Sequence, residues 1–248
     1  MIDTSIDTGS DKLIVALDVG SAREALEIFR QLRGFVHHFK IGSQLFTAVG
    51  PQIVREIAAA GGRVFLDLKF HDIPNTVAAA SVEAARLGVW MLNVHALGGA
   101  LMMRRTVEAL NEASEREGLT RPKLIAVTVL TSADAATLAE VGIQSEPLGQ
   151  VLALARLALA CGMDGIVASP HEVKAVRAVV KRADFTLVTP GVRPAGNAAD
   201  DQKRVMTPAQ AISAGADYLV IGRAILHAPD PVDAARKICA EMNSVSLV

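Results

Sequence analysis

Residues 63–77 read RVFLDLKFHDIPNTV, an apolar strand that ends in charged side chains and turns into a helix. Val64-Phe65-Leu66 has the composition of a buried strand, and because strand side chains alternate with a period of two, Asp67 and Lys69 are expected on one face. Pro74 suits the first turn of a helix, where its missing N–H is not needed. The stretch therefore predicts one strand-helix unit of a parallel α/β fold.

The charged residues in this stretch also predict a functional site. Asp67, Lys69 and Asp72 bring two carboxylates around one ammonium. Removing such charges from water costs free energy, and the two carboxylates repel each other while both are ionised. A purely structural role does not account for that cost, so we expect the cluster to do chemistry.

The same alternation of apolar and amphipathic segments repeats along the chain. Helical periodicity is clearest at 22–32, 52–60, 148–160 and 231–242. Eight short apolar runs predict strands, near residues 12–18, 35–41, 63–69, 89–95, 123–130, 165–169, 184–190 and 217–221.

Eight β-α units predict an α/β fold of the (β/α)₈ barrel type, the TIM barrel, in a single domain over residues 11–248. The strands are continuously apolar, as in parallel sheets that are covered on both sides. A doubly wound open sheet is the alternative, but no Gly-x-Gly-x-x-Gly follows the first strand. Residues 1–10 are polar and without Lys or Arg, and they are expected to be a disordered tail and no signal peptide.

Composition narrows the classes of partner. The chain has 248 residues, 51% of them hydrophobic, and a formal net charge of −1, which gives no basic footprint for nucleic acid and no membrane-surface patch. Its two cysteines, Cys161 and Cys239, stand outside metal-ligand spacing and predict a reducing, cytoplasmic location. His37 and His38 have no further ligand at metal spacing, so we interpret them as rim or packing residues.

In a barrel the chemistry belongs at the carboxyl ends of the strands, and every unit places a polar or turn-forming residue there. Gly222-Arg223 follows the last strand, where barrels commonly bind phosphate. The loop at 190–206 is long enough for an active-site lid, with Arg193 and Gln202 as its expected anion contacts. The strand-end residues are Asp18, Lys40, Asp67, Lys69, His95, Thr131, Ser132, Ser169, Pro190, Gly191, Gly222 and Arg223.

These residues resemble the orotidine 5′-monophosphate (OMP) decarboxylase family along nearly the whole chain. The resemblance implies decarboxylation of OMP to uridine 5′-monophosphate (UMP) and CO₂, the last step of de novo pyrimidine biosynthesis, by a homodimer that needs no metal or other cofactor. The most specific match is Asp67-x-Lys69-x-x-Asp72-Ile73-Pro74-Asn75-Thr76, supported by Ala16-Leu17-Asp18, Phe39-Lys40-Ile41-Gly42, Asn93-Val94-His95, Leu130-Thr131-Ser132, Pro190-Gly191-Val192-Arg193 and Ile221-Gly222-Arg223.

The resemblance also implies a role for each matched residue. Lys69 would protonate C6 of the pyrimidine, with Asp67 and Asp72 as the other catalytic residues. The implied substrate contacts are Asp18 and Lys40 on the ribose, Asp72 and Thr76 across the subunit interface, Thr131 and Ser132 on the base, Ile73 beside the departing CO₂, Pro190 in the binding site, and Arg193, Gln202, Gly222 and Arg223 on the phosphate.

Two other functions remain open from the residues alone. A related barrel that shares Asp-x-Lys-x-x-Asp uses Mg²⁺ to act on sugar phosphates, as 3-keto-L-gulonate 6-phosphate decarboxylase and hexulose-phosphate synthase do. Two segments argue against a sugar-phosphate enzyme, namely Ile73–Thr76, which continues the charged motif, and Leu130-Thr131-Ser132. A catalytically inactive barrel that only binds a nucleotide or protein is the second alternative, although a binder has no need of a lysine crowded by carboxylates.

Overall fold

The computed structural model describes residues 9–194 and 206–244 and shows parallel strands closed into a barrel. The strands are β1 (Leu13–Ala16), β2 (His38–Gly42), β3 (Arg63–Phe70), β4 (Met91–His95), β5 (Lys123–Val127), β6 (Gly165–Val167), β7 (Thr186–Pro190) and β8 (Tyr218–Ile221). Consecutive strands are neighbours, and β1 is hydrogen-bonded to β8. The predicted (β/α)₈ barrel is confirmed, and the open sheet is excluded because the first and last strands pair.

Helices follow the strands and surround the barrel. The helices predicted at 22–32, 52–60, 148–160 and 231–242 are present to within one residue. The described helices are α1 (Gly9–Lys12), α2 (Ala22–Leu32), α3 (Ser43–Val49), α4 (Gln52–Ala59), α5 (Pro74–Arg86), α6 (Gly99–Glu117), α7 (Ala135–Glu140), α8 (Pro147–Ala160), α9 (Val173–Val179), α10 (Pro208–Ser213), α11 (Arg223–Leu226) and α12 (Pro231–Asn243), with a 3₁₀ turn at Ala96–Gly98.

The strands are apolar on both faces because each one lies between two packing layers. Along β1, Ile14 and Ala16 belong to a small cluster inside the barrel. Leu13 and Val15 point the other way, into the larger cluster between barrel and helices. The inner cluster, completed by Phe65, Met91, Ile125, Val188 and Val220, supports the carboxyl-terminal end of the barrel from below.

An aromatic group fills the amino-terminal end of the barrel interior. The His38 ring lies 4.3 Å from that of Trp90 and 5.4 Å from that of Tyr218, measured between centroids. His38 is 1% exposed, and neither ring nitrogen has a hydrogen-bond partner within the described part of the chain. Burial, with Arg63 and His37 adding to it, lowers the pKa of His38 to about 4. The prediction that His38 is a packing residue is confirmed.

The amino-terminal boundary differs from the expectation. Residues 1–8 lie outside the described residues, but Gly9 and Ser10 belong to α1 and are no part of a tail. The backbone N–H of Gly9 donates to Asn243 Oδ1 at 2.7 Å. A Cβ at position 9 would stand 2.5 Å from the carbonyl oxygen of Cys239, so a glycine allows α1 to approach α12 this closely. Polar composition alone did not reveal this contact.

The helices of the described ranges include none that combines the length and the apolar character needed to cross a lipid bilayer.

Candidate active site

The carboxyl ends of the strands surround a pocket of about 360 Å³. Its floor includes Ala16, Phe65, Val188 and Val220 of the inner cluster. Most of the predicted substrate-binding residues line it, namely Asp18, Lys40, Asp67, Lys69, Thr131, Ser132, Pro190, Gly222 and Arg223. The structure therefore brings together residues from six of the eight strand ends.

A second cavity of about 350 Å³ adjoins the first through Thr131, Gly222 and Arg223, which line both. Arg193 lines this second cavity, beside the end of β7. Gln202, the other predicted anion contact of the 190–206 loop, lies outside the described residues. Two guanidinium groups thus give one end of the combined space its positive charge, and guanidinium groups are well suited to phosphate oxygens.

Four charged side chains that line the first pocket form a continuous chain of alternating sign. Lys40 Nζ lies 2.8 Å from Asp18 Oδ1 and 3.3 Å from Asp67 Oδ2. Lys69 Nζ donates to Asp67 Oδ1 at 2.7 Å. Lys40 and Asp67 are buried, whereas Asp18 and Lys69 are open to the pocket. The four formal charges cancel, and each buried charge has an opposite charge beside it, as burial requires.

Asp72 is placed differently from the expectation drawn from the charge cluster. Its Oδ1 accepts a hydrogen bond from the backbone N–H of Ile73 at 2.6 Å, on the exposed surface before α5. In residues 9–194 and 206–244 no ion pair joins Asp72 to Lys69. Within one chain, therefore, the carboxylate of Asp67 is shared by two lysines, instead of two carboxylates surrounding Lys69. Ile73 and Thr76 are exposed beside Asp72 at the start of α5.

Lys69 occupies an irregular part of β3. Leu66 pairs with Leu92, but Phe70 pairs with Val94, so four steps along β3 match two steps along β4. Lys69 has φ 53°, and no other non-glycine residue in the described ranges has a positive φ. This left-handed conformation costs a non-glycine residue roughly 1–2 kcal/mol. The expectation of a regular pleat was wrong here, although the Asp67 and Lys69 side chains do meet.

Asn93 is a site residue to which the sequence analysis gave no role. It is buried in the middle of β4, and its Nδ2 donates to Asp67 Oδ1 at 2.7 Å. Its Oδ1 accepts from the backbone N–H of Lys69 at 2.8 Å. One signal was present: an amide interrupts the apolar run Met91-Leu92-Asn93-Val94, in the strand after the charged motif.

His95, at the end of β4, lies near Lys69 but lines neither cavity. Burial lowers the pKa of His95, and the nearby His71 and Lys69 lower it further. The two imidazole rings lie 5.4 Å apart, and His95 Nδ1 is buried without a partner among the described residues. A charged His95 is therefore disfavoured, which leaves Lys69 as the cation at this point of the site.

The arrangement favours a particular chemistry. An ammonium held by a carboxylate at the mouth of an apolar-floored pocket can stabilise negative charge that develops on a bound molecule and can also donate a proton to it. The arginine end can hold an anionic group of the same molecule at a distance from the reacting atom. In the described part of the chain, no group of three or more His, Cys, Asp and Glu residues is arranged to hold a metal ion.

Comparison with known proteins agrees with this site. Residues 11–238 match the orotidine 5′-phosphate decarboxylase / HUMPS family. A protein of Geotalea daltonii named orotidine 5′-phosphate decarboxylase is 54% identical over 236 residues, which cover 95% of this chain and 98% of that protein. A protein of Geobacter sulfurreducens with the same name is 55% identical with the same coverage.

The fold comparison extends to solved structures. The crystal structure of orotidine 5′-phosphate decarboxylase from Lactobacillus acidophilus matches with a TM-score of 0.82 at 38% sequence identity, covering 93% of this chain and 98% of that one. A crystal structure described as an uncharacterized conserved protein from Geobacillus kaustophilus matches with a TM-score of 0.81, also at 38% identity. The similarity therefore spans the whole barrel and is not limited to the charged motif.

Proposed function

The chain belongs to the orotidine 5′-phosphate decarboxylase / HUMPS family, and on that basis we propose that it decarboxylates OMP to UMP and CO₂, the last step of de novo pyrimidine biosynthesis. The names of relatives that are more than half identical over nearly the full length support this activity within the family. One structural observation carries the proposal: the Lys69–Asp67 pair lies in a pocket that shares Arg223 with an adjoining cavity, which Arg193 also lines.

Lys69 is the proposed catalytic acid. When the bond between C6 and the carboxylate breaks, the electron pair stays on C6 in the plane of the ring, where the ring carbonyls cannot delocalise it. A preorganised ammonium beside C6 stabilises that charge far better than water does. Lys69 Nζ then donates a proton to C6, CO₂ leaves, and the lysine regains a proton from solvent.

Asp67 has two proposed functions. It holds the Lys69 ammonium in place through the 2.7 Å hydrogen bond, and its negative charge balances the positive charge of the ammonium. It also faces the substrate carboxylate, and the repulsion between the two anions is relieved as CO₂ departs. Both functions require the ionised carboxylate, which the amide of Asn93 and the two lysines stabilise.

The remaining pocket residues position the nucleotide. Asp18 and Lys40, joined at 2.8 Å, are the proposed contacts of the ribose hydroxyls. Thr131, Ser132 and Pro190 line the space proposed for the pyrimidine. Gly222, Arg223 and Arg193, together with Gln202, are the proposed phosphate contacts, and their binding energy helps to organise the site around the reacting carbon.

A homodimer with shared active sites is part of the proposal. Ile73 and Leu101 are 67% and 73% exposed, and Leu97 is exposed between them in the chain. The His71 and His95 rings lie 5.4 Å apart and bring together the segments that carry these residues, which we infer form one apolar face beside the site. A second copy on this face would bring Asp72 and Thr76 of the partner subunit to the sugar and cover Ile73 beside the CO₂ path.

The proposed location is the cytoplasm. Cys161 and Cys239 are both free and buried, which suits a reducing compartment. We propose neither a nucleic acid nor a membrane as a partner, since a net charge of −1 gives the protein no electrostatic attraction to either one.

The direct test is the absorbance of OMP after addition of the purified protein, measured with and without excess EDTA. We expect the absorbance change of decarboxylation in both cases, with UMP as the product. No turnover under either condition would refute the activity. Turnover that EDTA abolishes and added Mg²⁺ restores would contradict the metal-free reaction. The relatives described above give no support to the Mg²⁺-dependent sugar-phosphate enzymes of the superfamily.

A further inference from the structure

Asn93 connects the two residues on which the proposed reaction depends. It is 1% exposed and lies in β4, directly beside the irregular part of β3. It lines neither cavity of the site, so it is not placed to touch the substrate. Any effect on the reaction must therefore act through the residues that its amide group contacts.

The two ends of the amide perform different tasks. Nδ2 donates to Asp67 Oδ1, the same oxygen that accepts from Lys69 Nζ. Oδ1 accepts from the backbone N–H of Lys69, a group that the break in the β3–β4 ladder leaves without a backbone partner in that ladder. The backbone and the ammonium of Lys69 are thus both tied to one buried amide, directly and through Asp67.

Few side chains satisfy both requirements. The carboxylate of Asp67 needs a donor, and the Lys69 N–H needs an acceptor, so the orientation of the amide is fixed. An aspartate at position 93 would supply the acceptor but place a second carboxylate at 2.7 Å from Asp67. A leucine has the same branched shape, although a larger volume, and supplies neither group, which would leave a buried N–H unsatisfied.

We propose that Asn93 is a positioning residue that holds Lys69 in its left-handed backbone conformation and aims its ammonium, through Asp67, at the reacting carbon. This inference rests on the proposed decarboxylation. A shared amide couples the two positions, so that the ammonium cannot shift without losing its hydrogen bond to the Asp67 oxygen that Asn93 holds. Supporting hydrogen bonds of this kind are commonly worth about 10- to 100-fold in activity.

Asn93→Asp and Asn93→Leu separate the two tasks. For each we expect kcat to fall by about 10- to 100-fold, while the dissociation constant of UMP stays within about threefold because no substrate contact is lost. In Asn93→Asp the two carboxylates compete for one proton, and the protonated side chain can still donate to Asp67. Its kcat relative to wild type should therefore decrease as the pH rises.

A matched control is Thr106→Val. Thr106 is fully buried in α6, and its hydroxyl donates to the carbonyl of Met102, remote from the site. This variant also loses one buried hydrogen bond, but its kcat should equal that of the wild type. If both Asn93 variants keep kcat within about threefold of wild type, or if UMP affinity falls as much as kcat does, the positioning role is refuted.

Hydrogen exchange at the Lys69 amide tests the positioning without any turnover. Asn93→Leu removes the acceptor and should accelerate exchange of this amide by at least about tenfold, whereas Asn93→Asp retains the acceptor and the protection. Equal protection in the wild type and Asn93→Leu would contradict the proposal. A wild-type protein that shows this protection but no decarboxylation would refute the proposed function and leave the positioning of Lys69 intact.

Discussion

One carboxylate, that of Asp67, accepts hydrogen bonds from Lys69 and Asn93 and forms an ion pair with Lys40, and this sharing explains how charged groups are kept in the barrel. An isolated buried charge costs several kcal/mol, and a partner of opposite sign offsets that cost only with good geometry. Asp67 has Lys40 and Lys69 within 3.3 Å and 2.7 Å, together with Asn93 at 2.7 Å. Because the carboxylate is stabilised from three sides, the Lys69 ammonium keeps its counter-ion and remains exposed to the pocket.

Arg223→Ala should weaken the binding of nucleotide phosphate. Arg223 lines both cavities, and a charge-assisted hydrogen bond to phosphate is worth about 1.5–3 kcal/mol, or roughly 10- to 150-fold in affinity. Calorimetric titration with UMP measures this loss. Uridine, which lacks the phosphate, is the control ligand and should bind both proteins equally. Equal UMP affinity in wild type and variant would remove Arg223 from the site.

The sequence predicted the site residues that belong to a recognisable motif. It did not predict those whose role depends on a backbone irregularity. Asp67 and Lys69 follow an apolar strand, so their place at a strand end was predictable. The role of Asn93 depends on the break in the β3–β4 ladder, which exposes the Lys69 N–H to a side chain. No composition rule marks that break, because a lysine carries no intrinsic preference for a positive φ.

At the scale of the elements, the pairing of β3 with β4 sets the position of the ammonium. A regular strand would place Lys69 by the pleat alone, whereas the extra residues of β3 turn its backbone into the left-handed region. Irregular strand segments commonly redirect side chains next to active sites. The positions of the strands were predictable from the apolar runs. The irregularity in β3 was not, because the run Arg63–Phe70 contains no glycine or proline that would mark it.

The close contact of β6 with β7 predicts that Gly165→Ala destabilises the barrel. A Cβ on residue 165 would stand 2.1 Å from the carbonyl oxygen of Thr186, which is backbone and cannot move alone. Overpacking of this kind costs about 1–3 kcal/mol in the free energy of unfolding, measurable by urea denaturation. Gly34→Ala, whose added Cβ meets no atom within 4 Å, is the control and should change the free energy by less than about 0.5 kcal/mol. Equal stability of the two variants would contradict the close-contact explanation.

The buried imidazole of His38 predicts that stability declines in mild acid. The folded ring has a pKa of about 4 against an ordinary value of 6.5, so between these values the unfolded chain binds a proton that the folded chain does not. The contribution of the neutral ring to stability is complete above pH 6.5 and is lost as the pH falls toward 4. At pH 5 the loss amounts to about 2 kcal/mol in the free energy of unfolding.

His38→Phe should reduce this dependence on pH. Urea unfolding at pH 7 and pH 5, followed by the fluorescence of Trp90 beside His38, measures it, since the chain has one tryptophan. His227→Gln, at an exposed position by the carboxyl-terminal end of the barrel, serves as the control and should retain the wild-type dependence. If His38→Phe loses as much stability between the two pH values as the wild type, burial of His38 is not the cause.

At the scale of the whole molecule, the two ends of the barrel differ: one is filled by side chains and the other is open. The amino-terminal end is filled by His38, Trp90 and Tyr218, whereas the carboxyl-terminal end opens into the charged pocket. The eight predicted strands were enough to place the site at their carboxyl ends, because all parallel strands end on the same face, but they did not predict the aromatic filling of the other end. The role proposed for Asp72 in a partner's site was not predictable from geometry, since it depends on a surface that one copy leaves exposed.

Shared active sites predict that two inactive variants restore activity when they are mixed. In a hybrid of Lys69→Ala and Asp72→Ala subunits, one of the two sites combines an intact Lys69 with an intact Asp72 of the partner subunit. Random exchange should therefore return roughly a quarter of wild-type activity. Mixing Lys69→Ala with the double variant Lys69→Ala/Asp72→Ala creates no intact site and should stay inactive. No recovery after demonstrated subunit exchange would refute sharing.

The most direct measurement is single-turnover decarboxylation of OMP by Lys69→Ala beside the wild type, with UMP affinity and urea unfolding measured on the same samples. Loss of both the cation and the proton donor predicts a rate at least about 10⁴-fold lower. The variant should nevertheless remain folded and bind UMP within about tenfold of wild type, because the phosphate contacts remain. A folded Lys69→Ala protein that decarboxylates OMP at the wild-type rate would contradict the account.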